Sequence, residues 1–78
     1  MKNVEIYTTK ICPYCVRAKK MFDDRGIDYK EIKIDSSELM EEMLKRSNGR
    51  RTVPQIFIDN NHIGGCDDLY EYFKDLKK

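Results

Sequence analysis

The sequence predicts an α/β fold, a mixed four-stranded sheet with three helices in the order β-α-β-α-β-β-α. Three observations carry that expectation. A short alternating strand runs directly into a helix that begins at a proline, the start of a βαβ unit. A pair of asparagines separates two brief apolar runs near the C-terminal third, as a tight hairpin would. The last segment carries apolar residues at helical spacing. With 78 residues, positions 1–78 are expected to form a single domain. A domain this small buries only about 60% of the surface its unfolded chain exposes.

Each element has a local reason. Val4 and Ile6 alternate with polar residues, giving a first strand from about Asn3 to Thr8. The first helix follows Cys12, with Pro13 at its first position, where the missing N–H costs nothing. Val16, Ala18, Met21 and Phe22 carry it, and Gly26 ends it. Ile32 and Ile34 mark the second strand. Asp35 with Glu38 three residues on is a capping-box-like start. Leu39, Met40, Met43 and Leu44 then give the second helix its apolar face, and it stops near Asn48-Gly49. Pro54 opens a third strand, Gln55 to Asp59, and Asn60-Asn61 is the turn. His62-Ile63 forms a brief fourth strand halted by Gly64-Gly65. Cys66 or Asp67 caps the final helix, in which Leu69, Tyr72, Phe73 and Leu76 recur on one side. The βαβ unit implies a right-handed crossover between parallel strands, and the last two strands pair as a hairpin.

Composition removes several classes of function. Charged residues make up 37% of the chain, but 15 Lys and Arg nearly cancel 14 Asp and Glu. No global basic field invites nucleic acid. No apolar run approaches the roughly 20 residues of a membrane span, and Met1-Lys2-Asn3-Val4-Glu5 has no signal-peptide character. The expected compartment is the cytoplasm, where structural disulfides are rare. Three cysteines, an odd number, also argue against a framework of bridges.

Cys12 and Cys15 therefore need a chemical reason. A C-x-x-C beside a βαβ pattern reads as a redox pair. If Pro13 is the first helical residue, Cys12 is the N-cap and Cys15 lies one turn inside. The first N–H groups of a helix lack internal partners and carry partial positive charge, which stabilises a thiolate. Lys10 adds to this, and Arg17 or Lys19 more weakly. Such surroundings lower a thiol pKa from about 8.5 to roughly 3.5–7.5. Cys12 is then the nucleophile, and Cys15 stays protonated until it attacks the mixed disulfide at Cys12. Residues three apart within a helix hold their Cβ atoms about 5–6 Å apart. A disulfide needs about 3.5–4.5 Å, so the extended cap conformation of Cys12 is what lets the sulfurs meet. A purely structural bridge would close a tiny loop and stabilise little. A zinc site is a rival reading, with Cys12, Cys15, His62 and Cys66 as a Cys₃His set, although His62-x₃-Cys66 lacks knuckle spacing. A Cys-x₅-Arg phosphatase loop is excluded, because the residue at that place is Ala18.

With Cys12-Pro13-Tyr14-Cys15, Thr52-Val53-Pro54 and Gly64-Gly65-Cys66-Asp67-Asp68 in this order, the chain resembles a dithiol glutaredoxin of the thioredoxin superfamily. The resemblance covers nearly all of the chain. Thioredoxins typically carry Gly-Pro between their cysteines. The branch that draws electrons from thioredoxin reductase usually has Gln before the second cysteine. The resemblance implies a thioredoxin-like fold and an enzyme that reduces protein disulfides and glutathione mixed disulfides. Glutathione would be its co-substrate, with no metal. It also implies a monomer whose partners are glutathione and disulfide-containing or glutathionylated proteins, with neither nucleic acid nor membrane among them.

The same resemblance implies a cis Val53–Pro54 bond beside the active cysteine. The Val53 N–H and C=O would then pair, strand-like, with the cysteinyl backbone of glutathione. Thr52 and Pro54 complete that edge. A helix start approached through glycines is an anion site. The N–H groups of Cys66 and Asp67, after Gly65, would hold the γ-glutamyl carboxylate, and the Asp67 carboxylate the α-amino group. The bland reading of Gly64 to Asp68 is a turn and a helix cap. Lys10 is the first candidate for the glycyl carboxylate, with Arg50 or Arg51 in support. Tyr14 borders the cleft and packs along the tripeptide, or is simply a partly exposed aromatic. Cys66 reads as a spectator thiol, with regulatory glutathionylation or dimer formation on oxidation as the lesser alternative. Some glutaredoxins instead carry an iron–sulfur cluster between two chains, a role with which Pro13 is not usually associated.

Overall fold

The computed structural model describes residues 3–76. The elements are β1 (Val4–Thr8), α1 (Pro13–Asp24), β2 (Lys30–Lys33), α2 (Ser37–Arg46), β3 (Gln55–Ile58), β4 (Asn61–Gly64) and α3 (Cys66–Leu76). This is the β-α-β-α-β-β-α order that the sequence predicts. The strands lie in the order β2-β1-β3-β4. β1 and β2 are parallel, while β1 with β3 and β3 with β4 are antiparallel, so the sheet is mixed.

Strand alternation sorts the core into two layers. Val4 and Ile6 of β1 and Ile56 and Ile58 of β3 point to one face, against Ala18 and Phe22 of α1 and Leu69 and Phe73 of α3. Tyr7 and Phe57 point to the other face, against Met43 of α2. The second layer is small, and polar contacts fasten it. Arg46 lies at the end of α2 and grips Glu5 with both terminal guanidinium nitrogens, at 2.8 and 3.2 Å. It also donates to the Tyr7 hydroxyl at 2.9 Å and lies 4.0 Å over the Phe57 ring. Tyr7 in turn donates to Glu42. A bidentate, half-buried pair of this kind is geometrically specific as well as attractive.

Several boundaries differ from expectation, each for a local reason. β1 begins at Val4, and Asn3 instead exchanges hydrogen bonds with Asp59 at 3.0 and 2.7 Å. β2 ends at Lys33, although the Ile34 N–H still donates to the Thr8 carbonyl at 2.8 Å. The α2 cap is Ser36 and not Asp35. Its backbone is extended and its hydroxyl accepts from the Leu39 N–H at 3.2 Å. α2 stops at Arg46 with Ser47 as its C-cap, ahead of Asn48-Gly49. The hairpin turn is Asp59-Asn60, both at positive φ (51° and 69°), and Asn61 already belongs to β4. Both asparagine and aspartate tolerate that conformation, and a two-residue turn of this type matches strand twist.

α3 begins at Cys66, one residue earlier than a Cys66 cap and two earlier than an Asp67 cap would place it, so Gly65 occupies the cap. The Gly65 carbonyl accepts from the Leu69 N–H at 3.0 Å, and the Gly65 N–H donates to Asp68 at 2.9 Å. Gly64, at φ 121°, is what permits this closeness, since a Cβ there would overlap the Asp68 carboxylate.

Candidate active site

Three chain segments meet at one end of the sheet: the start of α1, the loop before β3 and the start of α3. Cys12 has φ −153° and ψ 98°, the extended backbone of an N-cap, and Pro13 follows as the first helical residue. The Cys12 carbonyl accepts from the N–H groups of Cys15 and Val16 at 3.1 and 3.2 Å. Its sulfur accepts from the Cys15 N–H at 3.2 Å. The helix therefore offers a backbone donor to the Cys12 sulfur itself, the contact that stabilises a thiolate once the bond to Cys15 opens. The two sulfurs are bonded to each other, with Cα atoms 5.2 Å apart. Cys15 is only 2% exposed, whereas Cys12 is half-buried and reachable.

The cations differ in what surrounds them. Lys10 is exposed. Arg17 lies 5.5 Å over the Tyr14 ring. Lys19 is committed to Glu31 at 3.0 Å, and Glu31 also accepts from the Thr8 hydroxyl at 2.8 Å. Burial alone would raise the Glu31 carboxyl, but those hydrogen bonds and the lysine charge outweigh it and hold it below its ordinary range.

An open cleft of about 160 Å³ lies beside the cysteines. Seven residues singled out in the sequence line it together: Tyr14, Thr52, Val53, Pro54, Gly65, Cys66 and Asp67. Arg50 and Asp68 line it as well, and their side chains approach within 3.5 Å across it. Lys10 and Arg51 are exposed and do not line it. The Val53–Pro54 bond is cis, as the resemblance implies. The Val53 carbonyl oxygen lies 3.7 Å from the Cys12 sulfur.

Cys66 is a free thiol on the cleft wall. Burial pushes its pKa up and the neighbouring Asp67 carboxylate adds to this, against a smaller opposing effect of Arg17. Burial and Asp67 keep it protonated at neutral pH. Cys12, Cys15, His62 and Cys66 do not assemble as zinc ligands. Among the described residues, no three His, Cys, Asp or Glu side chains are grouped to hold a metal ion.

The sequence gives no sign of one polar pairing behind the cleft, between Gln55 and His62. Gln55 is fully buried at 0% exposure and bonds to both Thr52 and His62. A glutamine directly after Pro54, in a strand otherwise made of Ile and Phe, signals Gln55 but not its partner. His62 stacks on Phe57, with ring centroids 5.0 Å apart. Burial lowers its pKa, the positive charge of Arg50 lowers it further, and Asp68 opposes.

Comparison with known proteins agrees with this geometry. The Glutaredoxin family model matches residues 4–63. The chain is 61% identical over 71 residues to Glutaredoxin 3 of Escherichia coli K12, covering 90% of this chain and 84% of the relative. It is 46% identical over 77 residues to Glutaredoxin 1 of Rickettsia prowazekii, covering 96% and 81%. A buckwheat glutaredoxin solved in complex with glutathione superposes with a TM-score of 0.84 at 36% identity, over 95% of this chain and 70% of that one. With the fold, the cysteine pair and these relatives in agreement, the chain belongs to the glutaredoxin family.

Proposed function

We infer that this protein is a glutathione-dependent thiol–disulfide oxidoreductase working through Cys12 and Cys15. The observation that carries the reading is the asymmetry of the pair. Cys12 sits at a helix cap, reachable, with a backbone N–H on its sulfur, and Cys15 is buried one turn inside. In the reduced enzyme the Cys12 thiolate attacks one sulfur of a substrate disulfide, forms a mixed disulfide and expels the other half as thiolate. Cys15 then gives up its proton and attacks the Cys12 sulfur, expelling the second substrate thiolate. The product is the Cys12–Cys15 bond that the structure contains. One glutathione thiolate attacks Cys12 and frees Cys15. A second attacks the glutathione sulfur, which returns Cys12 as thiolate and leaves oxidised glutathione. A substrate already carrying glutathione needs only Cys12 and the second glutathione.

The cleft is the proposed glutathione seat. The Thr52-Val53-Pro54 edge would pair with the cysteinyl backbone. The free N–H groups at the start of α3, at Cys66 and Asp67, would take the γ-glutamyl carboxylate, and the Asp67 side chain the α-ammonium. Tyr14 would pack along the peptide. For the glycyl carboxylate, Lys10 remains the first candidate, and the position of Arg50 on the cleft wall favours it over Arg51 as the supporting cation. Ile11, Tyr14 and Val16 stand exposed around Cys12, which supports docking of disulfide-containing and glutathionylated proteins. We propose that the chain acts as a single domain and as a monomer, in the cytoplasm. None of its helices is long and apolar enough to cross a membrane among the described residues.

The seat is tested by Asp67→Ala in a glutathione-coupled reductase assay. Charge-assisted hydrogen bonds are worth about 1.5–3 kcal/mol when well formed. The variant is expected to weaken glutathione use roughly tenfold, since 1.4 kcal/mol is a factor of ten. Alkylation of Cys12 by iodoacetamide should stay the same, because a different helix sets that thiolate. Unchanged glutathione dependence would reduce the Gly64–Asp68 segment to a helix cap.

A further inference from the structure

The loop that carries Thr52 and Val53 is tied to a buried polar chain that reaches away from the cleft. The Gln55 amide nitrogen donates to the Thr52 carbonyl at 2.9 Å and to the Thr52 hydroxyl at 3.2 Å. A carbonyl oxygen only accepts, so this contact fixes which end of the amide is nitrogen. The Gln55 oxygen is thereby turned toward His62, whose Nε2 stands 2.7 Å away and must carry the hydrogen. His62 is itself held flat against Phe57. Gln55 lies on β3 opposite Tyr7, where the sheet fixes its backbone. Both polar atoms of this amide are thus used, and the residue is fully buried.

We propose that Gln55 and His62 are positioning residues for glutathione recognition, which hold the Thr52–Val53 edge in register with the Cys12 sulfur. Neither residue lines the cleft. They act through Thr52, whose neighbour Val53 has its carbonyl 3.7 Å from that sulfur. The bonds form one chain, from His62 through the Gln55 amide to Thr52, so the amide is held at both ends. A ligand that pairs with the Val53 backbone then meets an edge already in place, and less binding energy is lost in ordering it. The inference rests on the proposed seating of glutathione along this edge.

The test compares Gln55→Leu, His62→Phe, the double variant and Asp67→Ala, with a glutathione mixed disulfide of a small thiol as substrate. Gln55→Leu keeps the side-chain volume and removes the amide. It is expected to raise KM about fivefold to tenfold, as loss of one or two hydrogen bonds would. The turnover number at saturation and the iodoacetamide rate of Cys12 should stay within about twofold, because the α1 cap is untouched. His62→Phe should raise KM by about threefold, and the double variant should match Gln55→Leu alone, since His62 acts only through Gln55. Gln55→Met serves the same comparison should the leucine variant fail to fold. An unchanged KM in a folded Gln55 variant, while Asp67→Ala raises it, would overturn the brace and leave the seat standing. Effects of the two substitutions that multiply in the double variant would equally overturn it. An unchanged KM in Asp67→Ala would remove the seat, and the brace with it.

Discussion

The Cys12 sulfur and the Val53 carbonyl oxygen, 41 residues apart in the chain, lie 3.7 Å from each other. A peptide that pairs with the Val53 backbone is therefore laid directly beside the reactive sulfur. The contact would join the two halves of the mechanism, since the segment proposed to pair with the glutathione backbone also borders the Cys12 sulfur. Its cause is topological. β3 lies next to β1, and α1 starts from the loop after β1, so the start of β3 and the start of α1 share one end of the sheet.

Cys12 and the cleft-wall thiol of Cys66 should react at very different rates. In the reduced protein, limiting iodoacetamide near neutral pH is expected to label Cys12 at least about tenfold faster than Cys66, because below its pKa a thiol loses tenfold in thiolate for each unit the pKa rises. Cys66 is held up by burial and by Asp67. Peptide mass spectrometry over time reads the order, and earlier labelling of Cys66 would contradict the helix-cap account.

Arg46 should matter to stability and not to chemistry. It joins α2 to β1 on the sheet face through Glu5 and Tyr7. Arg46→Met keeps the aliphatic bulk and is expected to cost about 2 kcal/mol, the scale of hydrogen bonds to charged groups. For a domain of this size that lowers Tm by roughly 8–16 °C. Urea denaturation should show a lower midpoint at an unchanged slope, with turnover of the folded enzyme retained. A midpoint equal to wild type would mean that the apolar contacts alone hold α2.

The sequence made the cysteine cap legible and the Arg46 clamp illegible. Cys12-Pro13 could be placed because proline at a helix start is a local rule, satisfied within three residues. The hairpin was found but shifted by one residue, because Asp59, Asn60 and Asn61 all suit a turn and only pairing with β3 decides among them. Arg46 and Glu5 are 41 residues apart, and no local pattern announces that they meet. Gln55 reads as an ordinary strand residue and His62 as a strand residue and candidate zinc ligand, and no local pattern joins them until the hairpin brings them to 2.7 Å. Of the candidate cations, spacing could not separate Arg50 from Arg51, since adjacent residues in a loop point apart and only one of them lines the cleft.

Acid should weaken the fold through Glu5 and Glu31. The hydrogen bond from Arg46 holds the Glu5 carboxyl below 4.5, against burial, and Glu31 is held down as well. A carboxyl depressed in the folded state binds protons more readily when unfolded, so stability rises with pH in that range. The contribution is present above about pH 5 and is lost as pH falls through the folded values. Urea midpoints between pH 7 and pH 3 should fall at the acid end, and less steeply in Glu5→Gln. A wild-type midpoint that stays level to pH 3 would contradict these pairings.

The division of labour between the cysteines is tested most directly by comparing Cys15→Ser with Cys12→Ser on two substrates, a glutathione mixed disulfide and a protein disulfide. Cys15→Ser should keep turnover of the mixed disulfide and lose dithiol reduction of the protein disulfide, because the Cys12 cap and its access are intact while the resolving thiol is gone. Cys12→Ser should lose both. If Cys15→Ser abolishes both reactions while Cys12→Ser retains either, the nucleophile is Cys15 and the account of the helix cap is wrong.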